Sequence, residues 1–431
     1  MCDLFLHSLC TSLSTQLRTV GQGAPETGPL PGAPPRNFEL SIEDAELEYA
    51  STAGIPELRT KVAEYYNTLY RTGKDSQYTH ENVCIVPGGR AGLTRIMAVL
   101  GKTQVGYFTP DYTAYQEALG LFTRITPSPL IHRDAHEALM TSDEFHFQAA
   151  GRGLGVVLLS NPANPTGQSI EGSELKAYVD IARELNTALV MDEFYSHYYY
   201  DGTAVDPVDG GVDDASNFPK TVSSATYIDN VNIDPIIIVN GLTKNWRLPG
   251  FRICWIVAPK RIVEMLSSAG SFLDGGANAP LQKLALPMMD MEFIRRDTWA
   301  LQRHFKMKRD FLLRELTALG ITVEWHPTAT FYIWANLSAL PHPLDDCLVF
   351  LEECVKHKVI IVPGVFFDIN PNHARNIRKS SCINFVRFSY GPVMKNLEIG
   401  VEQIGTMINY WKNHVESADQ YAEESFGGLA N

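Results

Sequence analysis

Apolar residues recur at Ile55, Leu58, Val62, Tyr66 and Leu69, the spacing of a helix that buries one stripe. Val83 to Val86 is a short apolar run; Gly88 and Gly89 follow, and then Leu93, Ile96, Met97 and Leu100 return to the helical period. The pattern predicts strand, glycine turn, helix. Val156 to Leu159 runs into an Asn/Pro loop, Leu175, Val179, Ala182 and Leu185 form another helical stripe, and Ala188 to Met191 and Ile236 to Val239 read as further strands. Such alternation predicts an α/β fold with a mainly parallel sheet covered by helices. Towards the C-terminus, Val359 to Val362 and Phe385 to Ser389 predict strands, and Leu397, Val401, Ile404 and Ile408 a closing helix, together a smaller second lobe. Gly21 to Pro35, crowded with Gly and Pro, reads as an irregular arm. The tail from Glu416 to Asn431 is acidic and is expected to fray.

Composition narrows the function classes. With 431 residues, 45% of them hydrophobic, the chain can bury a core for one large domain or two closely packed ones. A net charge of −13, from 36 Lys and Arg against 49 Asp and Glu, offers no basic face for nucleic acid. Cys2, Cys10, Cys84, Cys254, Cys347, Cys354 and Cys382 include no close CxxC pair for zinc or disulfide exchange, and so read as reduced thiols with no metal site. Met1 to Arg18 lacks a basic region before an apolar run, and no stretch approaches the roughly 18 apolar residues of a membrane span. The expectation is a cytoplasmic protein that binds neither membrane nor nucleic acid.

Four separated motifs carry candidate chemistry. Ser160-Asn161-Pro162-Ala163-Asn164-Pro165-Thr166-Gly167 follows a predicted strand, where ligand sites of open α/β sheets lie, although Asn, Pro and Gly also serve as plain turn formers. Asp192-Glu193-Phe194-Tyr195 follows the next strand; its carboxylate could bind a ligand or cap a helix. Asn240-Gly241-Leu242-Thr243-Lys244 follows a third, with Pro249-Gly250-Phe251-Arg252 downstream. A lysine there is either a snorkelling surface residue or, bracketed by small residues, a ligand-facing amine. Pro87-Gly88-Gly89-Arg90-Ala91 opens a helix, and such a turn presents N–H groups to an anion. The helix dipole alone contributes about 0.3–1 kcal/mol, less than the roughly 1.5–3 kcal/mol of a hydrogen bond to a charged group, so a phosphate site would also use an arginine, with Arg252 the candidate.

In this order, the motifs resemble the class I and II aminotransferases, over roughly Gly21 to Met407. The resemblance implies fold type I: a large domain with a mainly parallel seven-stranded sheet sandwiched by helices, plus a smaller α+β domain. It divides the chain into an arm and part of the small domain (1–48), a large cofactor domain (49–280), a C-terminal small domain (281–415) and a flexible tail (416–431). It implies pyridoxal 5'-phosphate (PLP) as cofactor, bound as an aldimine to Lys244, with Asp192 pairing the pyridine nitrogen, Asn164 and Tyr195 at the phenolic oxygen, and Arg252 at the phosphate. Gly88, Gly89, Arg90 and Thr243 join the cofactor positions. Pro110-Asp111-Tyr112 resembles the segment whose aromatic stacks on the ring, which makes Tyr112 that residue. Tyr49, ahead of Gly54-Ile55-Pro56-Glu57-Leu58-Arg59, is similar to a tyrosine that reaches the phosphate of the neighbouring subunit, implying a homodimer. Phe385-Val386-Arg387-Phe388-Ser389 resembles the strand whose arginine grips the substrate α-carboxylate, with Asn164 and Gly23 of the arm beside it. Arg247 and Cys254 depart from the family pattern and bear on the rear of the cofactor. The stretch from Asp201 to Asp234, with seven Asp, reads as a solvated loop or a substrate gate.

By this resemblance the reaction moves an amino group from an L-amino acid to a 2-oxo acid, by way of pyridoxamine phosphate. The alternative is a PLP-dependent lyase, cyclase or oxidase on the same fold, because Leu248-Pro249-Gly250-Phe251-Arg252 is also similar to 1-aminocyclopropane-1-carboxylate synthase. The sensor half of a transcription regulator is a further reading, disfavoured by the acidic balance and by the short segment ahead of Gly21. Phe331-Tyr332-Ile333-Trp334 and Tyr198, Tyr199 and Tyr200 could line an aromatic-tolerant pocket or form core, and the substrate side chain is not specified.

Overall fold

The computed structural model describes residues 18–42, 44–132, 138–200 and 218–427. Its centre is a seven-stranded sheet of β1 (Val83–Val86), β2 (Thr103–Phe108), β3 (Ile125–Leu130), β4 (Val156–Ser160), β5 (Ala188–Asp192), β6 (Ile236–Gly241) and β7 (Cys254–Val257), in the spatial order β1-β7-β6-β5-β4-β2-β3. Strands β3, β2, β4, β5 and β6 pair parallel, while β7 runs antiparallel to both its neighbours. Central strands read as continuous apolar runs because helices cover both faces. Val156 and Leu158 enter one core cluster, Val157 and Leu159 the other.

The pattern of apolar residues misses β2, β3 and β7. In β3, Pro127 and Pro129 break any strand signal, and they are tolerated because β3 is an edge strand. The helices α1 (Pro56–Tyr70), α2 (Gly89–Val99), α3 (Ala114–Leu121), α4 (Ser142–Arg152) and α5 (Gly172–Leu185) flank the sheet, and α6 (Lys260–Leu273) packs against α2. The 28-residue α7 (Met291–Ala318) then leads into the small lobe.

That lobe holds a three-stranded antiparallel sheet of β8 (Tyr332–Asn336), β9 (Val362–Pro363) and β10 (Phe385–Ser389), ordered β9-β10-β8, with α8 (Cys347–Lys356) and α9 (Met394–Gly427). The single strand expected over Val359 to Val362 is split at Ile361. Val359–Ile360 pairs parallel with Arg18–Thr19 of the arm, whereas Val362–Pro363 pairs with β10. The arm passes so close that a Cβ on Gly21 would come 2.8 Å from the Ile361 carbonyl carbon. α9 continues through Gly427, beyond Glu416 where a frayed tail is expected; Ala, Glu and Gln in this stretch are good helix formers. Of the Asp-rich stretch, 201–217 lie outside the described residues, and Asp229 and Asp234 are ion-paired with Arg183 at 3.1 and 2.7 Å. Cys2 and Cys10 also lie outside them; the other five cysteines are free and buried. Among the described residues, no helix is long and apolar enough to cross a membrane.

Candidate active site

The register of the sheet aligns Ser160 of β4 with Asp192 of β5, and Asp192 with Val239 of β6. The loops that follow therefore leave the sheet along one edge and enclose a cavity of about 440 Å³. Asp192, the last residue of β5, is 5% exposed, and Tyr115 of α3 donates to its Oδ2 at 2.8 Å. Burial pushes its carboxyl up to about 6, against the pull of the Tyr115 hydroxyl and the Phe194 N–H. Lys244, three residues beyond β6, donates from Nζ to the Gly23 carbonyl of the arm. Burial and the Arg387 guanidinium lower its pKa to about 8, so its neutral, nucleophilic form is accessible near neutral pH.

At one end of the cavity, Gly88 opens α2 with φ of 108° and no side-chain cap. A Cβ there would stand 1.8 Å from Arg252 Nη2, so only glycine lets the guanidinium lie against the start of the helix. Arg252 itself takes the left-handed conformation, with φ of 55°. The pair forms an anion cradle, a helix N-terminus beside a fixed positive charge. Tyr112 forms a side wall, and Arg90 Nε donates to its hydroxyl at 3.3 Å.

At the other end lies Arg387, from β10. Its Nη1 donates to Asn164 Oδ1 and its Nη2 to the Gly21 carbonyl, each at 2.9 Å, while its buried Nε has no partner among the described residues. The guanidinium lies 4.0 Å from the Tyr332 ring centroid and 4.7 Å from that of Phe367. With its oxygen committed to Arg387, the Asn164 amide is left with its NH2 as donor. The Tyr195 and Tyr332 hydroxyls meet at 2.8 Å.

Gly23, Gly89, Arg90, Tyr112, Asn164, Asp192, Tyr195, Thr243, Lys244, Arg252 and Arg387 all line this cavity; Gly88 stands behind Arg252, and Tyr49 is outside it, 99% exposed. Arg247 points away from the cavity: in the left-handed conformation, it donates to the Gly28 and Glu26 carbonyls at 2.6 and 3.3 Å and lies 3.7 Å from Asp297. It fastens the arm. Cys254 packs under Thr243, Sγ to Oγ1 3.1 Å, with its thiol pushed up to about 11 by burial. Tyr198, Tyr199 and Tyr200 are buried; Tyr198 donates to the Lys244 carbonyl at 3.0 Å. Sequence reasoning quoted Ser160 within its motif but gave it no role, missed Tyr115 and Phe367, and left Tyr332 open between pocket and core. Tyr115, Phe367 and Tyr332 bear no spacing that marks them, and each reaches the site through a contact distant in sequence.

The residues fit PLP: a half-buried lysine, a buried carboxyl for a ring nitrogen, a glycine-arginine cradle for phosphate, an aromatic wall, and a buried guanidinium with an unfilled N–H. Comparison with known proteins agrees in kind. A match to the aminotransferase class I and II family covers residues 19–404. The aspartate/prephenate aminotransferase of Thermus thermophilus is 24% identical over 375 residues, 85% of this chain and 85% of its own. The solved structure of Thermus thermophilus aspartate aminotransferase with maleate has a TM-score of 0.73 at 21% identity, covering 94% of this chain and 96% of that one. N-succinyldiaminopimelate aminotransferase from Mycobacterium tuberculosis has a TM-score of 0.74 at 20% identity, covering 94% and 97%. These structures share the fold.

Proposed function

This chain belongs to the class I and II aminotransferases, and we propose that it transfers the amino group of an L-amino acid to a 2-oxo acid using PLP held at Lys244. The observation that carries the reading is that Lys244, Asp192 and Arg387 open onto one cavity whose far end is the Gly88–Arg252 cradle. PLP, when bound, supplies an aldehyde that condenses with amines and a protonated ring that withdraws electrons from the substrate.

Asp192 would keep the proton on the ring nitrogen, because a carboxylate in contact favours the charged ring. Tyr115 supports the charged carboxylate by its hydrogen bond. Asn164 and Tyr195 would donate to the phenolic oxygen, Tyr112 would stack on the ring, and Arg252 with the Gly88–Gly89 turn and Thr243 would hold the phosphate. Arg387 grips the substrate α-carboxylate and so orients the Cα–H bond that must break. Lys244, once its amine is free, would be the base that takes the Cα proton and the acid that returns it.

Homodimerisation rests on Tyr49 at 99% exposure, Phe272 at 93% and Leu47 at 75%, large apolar groups that a second copy would cover. Sedimentation should give twice the chain mass. The free, buried cysteines fit a reducing compartment, the cytoplasm.

The test is a single half-reaction. Mixed anaerobically with its amino donor and no acceptor, the enzyme should release one equivalent of 2-oxo acid and stop, its cofactor recovered in the aminated form by mass. Added oxo acid should restore the starting spectrum. Repeated product release with unaltered PLP would instead move the assignment to a lyase or cyclase.

A further inference from the structure

Asp111 lies between β2 and α3, is 3% exposed and does not line the cavity. Its N–H donates to the Phe367 carbonyl at 3.0 Å. Its Oδ1 accepts the Tyr112 N–H at 2.6 Å and the Ser160 hydroxyl at 2.5 Å, and its Oδ2 accepts the Ser160 N–H at 3.3 Å. The Ser160 Oγ in turn accepts the Asn164 N–H at 3.1 Å, and Asn164 Oδ1 accepts from Arg387. The Asp111 carboxyl thus joins the segment carrying Tyr112 to the loop carrying Asn164, and its backbone N–H adds the small-lobe segment carrying Phe367, whose ring lies against Arg387.

A buried carboxyl is costly unless donors fill its oxygens. Here the donors are the backbone that aims Tyr112 and the serine that anchors the Asn164 loop. A carboxyl serving only its own turn would bond the adjacent backbone alone; this one reaches 49 residues along the chain to Ser160.

We propose that Asp111 is a positioning residue that, through Ser160, locks the Tyr112 ring and the Asn164 amide into one rigid unit, so that the wall stacked on PLP and the donor to its phenolic oxygen are set together. The proposal rests on the PLP reading of the site. Asp111 and Ser160 then act as a coupled pair, and removing either releases both walls.

The test is a double-mutant cycle of Asp111→Ala and Ser160→Ala, read by titrating apoenzyme with PLP and by visible circular dichroism of the bound cofactor, which reports its asymmetric packing. Each single variant should weaken PLP binding on the order of tenfold, from the loss of buried hydrogen bonds, and reduce the dichroic band. The double variant should be little worse than Asp111→Ala. Asp111→Asn, which keeps the Oδ1 acceptor and loses Oδ2, should recover part of both signals. Where Asp111→Ala does not fold as apoenzyme, Asp111→Asn takes its corner of the cycle. Wild-type affinity and dichroism in the single variants, or losses that simply add, would overturn the coupling. Failure of the unmodified protein to take up PLP would remove the underlying reading instead.

Discussion

At the end of the cavity proposed for the cofactor, Asp192 closes its strand and Lys244 and the Asn164 loop follow neighbouring parallel strands, so their relative positions follow from strand register. At the carboxylate end, the sheet that carries Arg387 is closed by remote chain: the carbonyls of Gly21, Gly23 and Gln22 accept from Arg387, Lys244 and Ser389 respectively, across more than 200 residues of sequence. The first end is set by a rigid scaffold, the second by an arm that must be held down. Glu26 does the holding, with its Oε1 at 2.5 Å from His304 Nε2 and 2.7 Å from Lys308 Nζ, while Arg247 binds the neighbouring carbonyls. Chemistry at the first end should therefore fail by loss of a group, and at the second by loss of position.

The largest effect is expected from Lys244→Ala, which should lower turnover by more than about a thousandfold, as expected when a proton-transfer group is removed, and leave no PLP fixed to protein after borohydride reduction. Peptide mapping checks it; label on another lysine would break the assignment. In the unmodified protein, PLP recapture by apoenzyme should accelerate as pH rises through about 8, where Lys244 loses its proton.

Arg387→Ala comes next, with a loss of roughly 2–5 kcal/mol in kcat/KM, by analogy with truncated buried charge pairs. PLP affinity should be retained, which separates the two ends of the cavity. Stopped-flow titration with amino acids measures it, and unchanged apparent affinity would remove Arg387 as the clamp.

Glu26→Gln should have a smaller effect, about 1 kcal/mol in KM for the amino acid, with PLP affinity unchanged. A matching loss of PLP affinity would show that the arm supports both ends alike. Although burial raises the Glu26 carboxyl, the bonds from His304 and Lys308 hold it at about 2. Between pH 4.5 and about 2 the unfolded chain binds this proton and the folded one does not, so the contribution of Glu26 to stability is complete above 4.5 and lost as pH falls towards 2. Acid unfolding of the variant should be flatter across that window.

Tyr115→Phe should be mildest. Removing the donor to Asp192 destabilises the charged carboxylate, so its pKa rises above about 6. The acid limb of the rate profile should move to higher pH, by about one unit or less at 1.36 kcal/mol per unit. An unmoved limb would detach Tyr115 from the ring-nitrogen end.

What the sequence determined by itself is the set of strands and loops that carry Asn164, Asp192, Lys244 and Arg252. Strands β1, β4, β5 and β6 announce themselves as apolar runs because they are buried on both faces, and the Asn164, Asp192, Lys244 and Arg252 motifs lie at or just beyond strand ends, where local spacing suffices. Arg387 was legible as a residue, since β10 is a clear strand, but its partners were not. Only the tertiary structure decided that Gly21 and Gly23 reach Arg387 and Lys244, that the Val359 to Val362 run divides between two sheets, that Arg247 turns to the arm, and that Asp111 meets Ser160. Hydrophobic period and turn chemistry report what one segment does over a few residues; these contacts join segments whose meeting depends on how the lobes pack, and no local pattern records that.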